Sequence, residues 1–199
     1  MKIIVIGAAG DIGKAVCEEL HPRHQVITAG RTSGDIQVDL TDRASVDAMY
    51  AEAGTVDAVV STTGDVHFAS LLDHSEETYM LGLRQKVMGQ VNLVLAGLDK
   101  INDGGSFTLS SGVLDRDPVR MGTGAAMANG ALGGFVVGSA IEMPRGLRIN
   151  VVSPGLLEVS VPRYGAWFPG HDPVSSKRVG RAYAKSIEGA ITGQVIIVE

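Results

Sequence analysis

The sequence predicts a doubly wound α/β domain, a parallel sheet of about seven strands with helices on both faces. Three observations carry this. Short β-rich runs recur along the chain and alternate with segments of helical spacing. The runs are continuously apolar more than strictly alternating, as strands covered on both faces are. And 199 residues, 45% of them hydrophobic and 20% charged, suit one well-buried domain spanning 1–199.

In chain order the expected strands are KIIVIG, HQVITAG, DIQVDL, VDAVVSTTG, SFTLSSG, LRINVVSPG and GQVIIVE. Between them, helical spacing covers 11–20, 43–53, 75–98, 122–142 and 175–187. No boundary signal or internal repeat interrupts the alternation. The irregular region is 153–176, with four of the seven prolines and the only Trp. A loop this long in a small domain reads as a lid or binding segment at about 155–175, or as a surface excursion packed by its own Trp167 and Phe168.

Composition excludes several classes. The net charge of −5, without any Lys/Arg cluster, argues against a nucleic-acid partner. No run of about 18 apolar residues predicts a membrane span. A lone cysteine, Cys17, forms no internal disulfide, and the opening strand lacks a secretory pattern, so a cytoplasmic location is expected. His21, His24, His74 and His171 have no Cys or carboxylate partners at ligand spacing, so no metal is expected.

Gly7, Gly10 and Gly13, in VIGAAGDIGKAV, stand where the first strand meets the first helix. Glycines there let the backbone approach a pyrophosphate, whose charge sits at the helix N-terminus. Ala9, Asp11 and Ile12 complete this candidate turn. An acidic residue ending the second strand would hold an adenosine ribose 2′-hydroxyl, but TAGRTSG offers Gly30 and Arg31. A guanidinium pairs with a 2′-phosphate, and Thr32 and Ser33 add hydroxyls. NADP(H) is therefore favoured over NAD(H), the alternative being that Arg31 is a solvated loop charge. Asp39 and Leu40, in VDLTD, are placed to flank an adenine.

These segments, with STTG, LSSG, INVVSPG and TGQVIIVE, resemble the short-chain dehydrogenase/reductase family from Met1 to Glu199. The resemblance implies a Rossmann-like fold and hydride transfer with a nicotinamide cofactor. It places Ser61, Thr62, Gly64 and Ser110 beside the cofactor, with Pro154 and Gly155 contacting the carboxamide through their backbone. The glycine turn departs from the family's GxxxGxG, reading GxxGxxG, and STTG stands for NNAG.

The family's chemistry uses an Asn, Ser, Tyr and Lys tetrad, in which Tyr moves the proton and Lys lowers its pKa. Carried over, Ser survives as Ser111. Aligning the YxxxKAAxxGF tail on GALGGF puts Ala125 at the Tyr and Asn129 at the Lys, while Lys86 stands at the Asn. The 122–142 helix holds neither Tyr nor Lys, so the loss is independent of register.

Three substitutes are in view. Lys86 is a candidate acid or ribose ligand, or a solvated lysine. Tyr164 on the lid is a candidate phenol, although with Trp167 and Phe168 it also suits an apolar ligand wall. His67, with Asp65, follows a strand end and is a candidate acid or base, or is structural. Two functions follow: an NADP(H)-dependent oxidoreductase with a rearranged site and an unknown small-molecule carbonyl or alcohol substrate, or a non-catalytic NADP(H)-binding sensor or partner-binding protein. The 75–98 and 122–142 helices resemble the family's dimer interface, which implies a homodimer or homotetramer.

Overall fold

Ile3, Ile4, Val5 and Ile6 present β-branched side chains to both faces of a pleated strand, and all four are buried. They form β1 (Lys2–Ile6), the middle of a sheet completed by β2 (Gln25–Gly30), β3 (Ile36–Gln37), β4 (Val56–Ser61), β5 (Ile101–Ser110), β6 (Arg148–Pro154) and β7 (Val195–Val198). The computed structural model describes residues 1–199. The strand order is β3-β2-β1-β4-β5-β6-β7, and each neighbouring pair is parallel. The order reverses at β1/β4, so a crevice opens beyond the C-terminal ends of those strands.

Each face is covered by helices. Ile4 and Ile6 pack in a core of 25 buried residues with Val46, Met49 and Tyr50 of α2 (Arg43–Ala53), Leu93 and Val94 of α4 (Gly89–Gly97), and Ala128, Leu132 and Val136 of α5 (Thr123–Ala140). Ile3 and Val5 face the other way, into 15 buried residues that include Val16 and Leu20 of α1 (Asp11–Leu20) and Val179, Tyr183 and Ile187 of α7 (Ser176–Glu188). The period-2 alternation of β1 thus divides its four side chains between two apolar layers. Tyr50 is deeply buried, and its phenol is satisfied by donating to Leu93 O at 2.8 Å.

Helix starts follow local chemistry. Asp42 accepts from Ala44 N at 2.9 Å to cap α2, and Ser75 and Thr78 form a reciprocal capping box at α3 (Glu76–Gly82). Three expectations are corrected. The 75–98 segment is not one uniform α-helix: α3 and α4 are joined by a π-helical stretch, Leu83–Met88. β5 begins at Ile101, ahead of the apolar run, and a register shift between Val56 and Ala58 absorbs the polar residues there. The 153–176 segment, expected as an irregular loop, holds a 3-10 turn at Glu158–Ser160, a short α6 (Val161–Tyr164) and a second 3-10 turn at Gly165–Trp167.

Candidate cofactor and proton-transfer site

At the β1–α1 junction the backbone closes too tightly for side chains. Gly7 has φ +82°, and a Cβ there would lie 2.6 Å from Thr63 Cγ2. A Cβ on Gly13 would lie 2.2 Å from the Gly7 carbonyl oxygen. Gly10 is the N-cap of α1 and offers no side chain to the first helical amides. Those N–H groups are therefore available to an anion at the positive end of the helix. The cradle fits the diphosphate of a dinucleotide.

A cavity of about 220 Å³ adjoins this turn. Gly7, Ala9 and Gly10 form one wall, Gly30, Arg31 and Ser33 a second, and Val38 to Thr41 a third, with Gly64 and Asp65 at its edge. The Asp39 carboxylate accepts from Thr41 N at 2.9 Å and Thr41 Oγ1 at 2.7 Å. Those hydrogen bonds, helped by the Arg31 charge, hold it below the usual carboxylate range. Arg31 is two-thirds exposed, its nearest anion being Asp65 at 4.0 Å. Its guanidinium makes no hydrogen bond to the protein and lines the cavity. Thr32 is exposed in the same loop, and Ser33 rather than Thr32 lines the cavity.

Other expected cofactor residues are engaged elsewhere. Every polar group of Ser110 is used internally: its hydroxyl donates to Ser61 O at 2.5 Å and accepts from Tyr183, while its amide and carbonyl pair with Gln90 at 2.9 Å each. Burial pushes the Tyr183 phenol up, so it stays a donor. Ser110 is therefore a structural residue, and Ser61 is fully buried beneath it. Thr62 spends its hydroxyl on Ile6 O at 2.8 Å. Ile12 packs against the α1/α7 core, and Gly13 serves the closure of the turn. Pro154 ends β6 and Gly155 follows it, its N donating to Val198 O at 2.8 Å.

The Asp11 side chain is engaged from across the chain. Its carboxylate faces the lid, accepting from Ser160 Oγ at 2.6 Å and from Arg163. The Ser160 hydrogen bond, with Arg163 adding to it, holds the carboxyl below its ordinary value.

The second part of the site joins two helices. Lys86, within the π-helical stretch, donates to Asn129 Oδ1 of α5 at 2.7 Å and to Ser111 O at 3.4 Å. The two positions matched to the family's Asn and Lys thus touch, with amide and ammonium exchanged between helices. Desolvation pulls the Lys86 ammonium down to about 8, against the pull of Asp115 in the other direction. Gly64, at φ +147°, makes room: a Cβ there would sit 2.4 Å from Lys86 Cγ. Ser111 Oγ is buried and has no hydrogen-bond partner. An unpaired hydroxyl beside a perturbed lysine is a polar site prepared for a ligand oxygen.

No phenol joins this group. Ala125 is buried in a small apolar cluster with Val113, Leu114 and Val119, against which Val66 and the lid residue Phe168 pack. Tyr164 is half exposed, its ring under Arg163 at 5.4 Å, and makes no hydrogen bond to Lys86 or Ser111. His67 is exposed and edge-on to His74 at 5.7 Å, within a strap that also sets Phe68 against Trp167 at 6.2 Å.

Sequence reasoning misses two participants and one contact. Asn129, matched to the family's Lys, holds the Lys86 ammonium. Gln90 locks β5 in place beside Ser111, and a buried polar residue on an apolar helix was the available signal. Arg163 reaches Asp11, beside the glycine turn, from across the chain, which no local spacing reveals.

Residues 4–185 match the family model described as enoyl-(acyl carrier protein) reductase. With that extent of match, the chain belongs to the short-chain dehydrogenase/reductase family. The solved structure of the protein lin1944 from Listeria innocua is 48% identical, with a TM-score of 0.98 and all of both chains covered. A small-chain dehydrogenase in complex with NADPH is 25% identical, with a TM-score of 0.87, covering 100% of this chain and 96% of that one. An uncharacterized oxidoreductase of Methylorubrum extorquens is 32% identical over 138 residues. That alignment takes in 65% of this chain, which spans about half of the relative's length (54%).

Proposed function

We propose that this protein is an NADP(H)-dependent oxidoreductase acting on a small carbonyl or alcohol, with Lys86 in charge of the proton. One observation carries the reading: the Lys86–Asn129 pair at 2.7 Å lies beside Ser111, whose buried hydroxyl has no partner. The NADPH-bound neighbour and the exposed guanidinium of Arg31 support the phosphorylated cofactor. The Gly7–Gly13 cradle would hold its diphosphate and Arg31 its 2′-phosphate. When bound, the cofactor supplies or accepts hydride at its nicotinamide.

The chain's own residues handle the rest. Ser111 Oγ donates a hydrogen bond to the substrate oxygen. Asn129 fixes the Lys86 ammonium, which gives a proton to that oxygen during reduction and takes one back during oxidation. A pKa brought down to about 8 makes the ammonium a better acid than an ordinary lysine. Turnover of NADPH with a panel of aldehydes and ketones tests the reading. Loss of turnover in Lys86→Met with NADPH binding retained supports it, whereas no turnover by the wild type with any carbonyl counts against it.

One observation favours the second reading, a non-catalytic NADP(H)-binding protein. The place of the family phenol is filled by apolar packing around Ala125 and Phe168 rather than left open. A homo-oligomer is proposed as well, because Leu81, Met88 and Leu95 on α3–α4 and Met127, Val137 and Ile141 on and just beyond α5 expose apolar surface. Sedimentation velocity tests it, and a monomer at high concentration would oppose it.

A further inference from the structure

The lid touches the phosphate turn through one carboxylate. Asp11 is the first residue of α1, where free amides and the helix dipole favour an anion. A carboxylate at that spot works against a second anion. Its charge would repel a diphosphate approaching the same helix end, unless a cation compensates it. That cation comes from α6. Arg163 is joined by Ser160 on the same Asp11 oxygen, so two lid donors converge on it. Lys14, one turn along α1, adds a more distant positive charge. Arg163 Nε and Nη1 have no protein partner, and the guanidinium is more than half exposed, held over the Tyr164 ring.

We propose that Arg163 is a positioning residue for the cofactor: by neutralising Asp11 it couples docking of the lid to capture of the diphosphate. With the lid away, a bare carboxylate guards the helix N-terminus and the cofactor is disfavoured. With the lid docked, the pair is neutral and the amides are open to phosphate. Capture and closure are then one event, and substrate meets a covered site only after cofactor has arrived. This rests on the NADP(H)-binding reading above.

The test is NADPH affinity in the wild type, Arg163→Gln, Asp11→Asn and the double variant, with Arg163→Lys as the conservative control. Arg163→Gln is expected to weaken binding about tenfold, as removal of one nearby charge does. Asp11→Asn is expected to bind at least as tightly as the wild type, and the double variant to match Asp11→Asn. Arg163→Lys is expected to recover most of the loss. NADPH is also expected to slow chymotryptic cleavage at Tyr164 and Trp167 in the wild type but not in Arg163→Gln. Equal affinity of Arg163→Gln and wild type overturns the proposal while leaving the cofactor reading intact. A double variant as weak as Arg163→Gln overturns it too, because Arg163 would then act independently of Asp11. A wild type that binds no NADPH overturns both.

Discussion

In the proposed reading, the proton chemistry rests on one side chain, Lys86. Its ammonium is desolvated, held by Asn129, and lowered to about 8 from an ordinary 10.5. Below pH 8 both folded and unfolded chains carry the charge, so the desolvation penalty is fully present. Between pH 8 and 10.5 the folded chain has released the proton while the unfolded chain keeps it, so the penalty fades as pH rises. Relative to Lys86→Met, the wild type is expected to gain stability over that window, by on the order of 3 kcal/mol, measurable by urea unfolding at several pH values. A flat difference would mean an ordinary lysine. In catalysis, Lys86→Met is expected to lower kcat by about 10² or more with little change in NADPH affinity. The reductive rate of the wild type is expected to fall above pH 8, where the acid is spent. Gly64→Ala tests the same side chain from below: its Cβ would meet Lys86 Cγ in a backbone conformation that disfavours alanine. A loss of about 1–3 kcal/mol is expected by thermal unfolding.

The elements follow from patterns the sequence displays openly. Helix α1 begins at Asp11 and α2 at Arg43, where glycine and Asp42 mark their starts, and the apolar strands appear in their expected order. What spacing could not mark is the π-helical stretch at Leu83–Met88, because a single widened turn leaves the composition of a helix unchanged. It places Lys86 where Asn129 can reach it, a fact set by two helices together. For the same reason the inward commitment of Ser110 was hidden: Ser61, Gln90 and Tyr183 come from three separate elements. In contrast, the bareness of α5 was legible from its lack of Tyr and Lys. The packing around Ala125 makes that loss structural. Ala125→Tyr is expected to overpack the Val113–Leu114–Val119 cluster, lowering stability by about 1–3 kcal/mol and adding no activity. A stable, more active Ala125→Tyr would show instead that the site is an eroded version of the family's tetrad.

At the scale of the whole molecule, a parallel sheet with its strand order reversing at β1/β4 puts the glycine turn and the Arg31 loop around one cavity, with Lys86 packed behind Gly64 at its edge. No helix is long and apolar enough to cross a membrane. Ligand binding at such a crevice stabilises only the folded chain, so NADPH at about 100 times its Kd is expected to add about 2.7 kcal/mol to unfolding stability. Titration calorimetry of NADPH and NADH into the wild type and Arg31→Ala bears most directly on the cofactor assignment. The expected result is tighter association with NADPH than NADH, a preference that Arg31→Ala abolishes by weakening NADPH alone. Absence of heat with either coenzyme at millimolar concentration would contradict it.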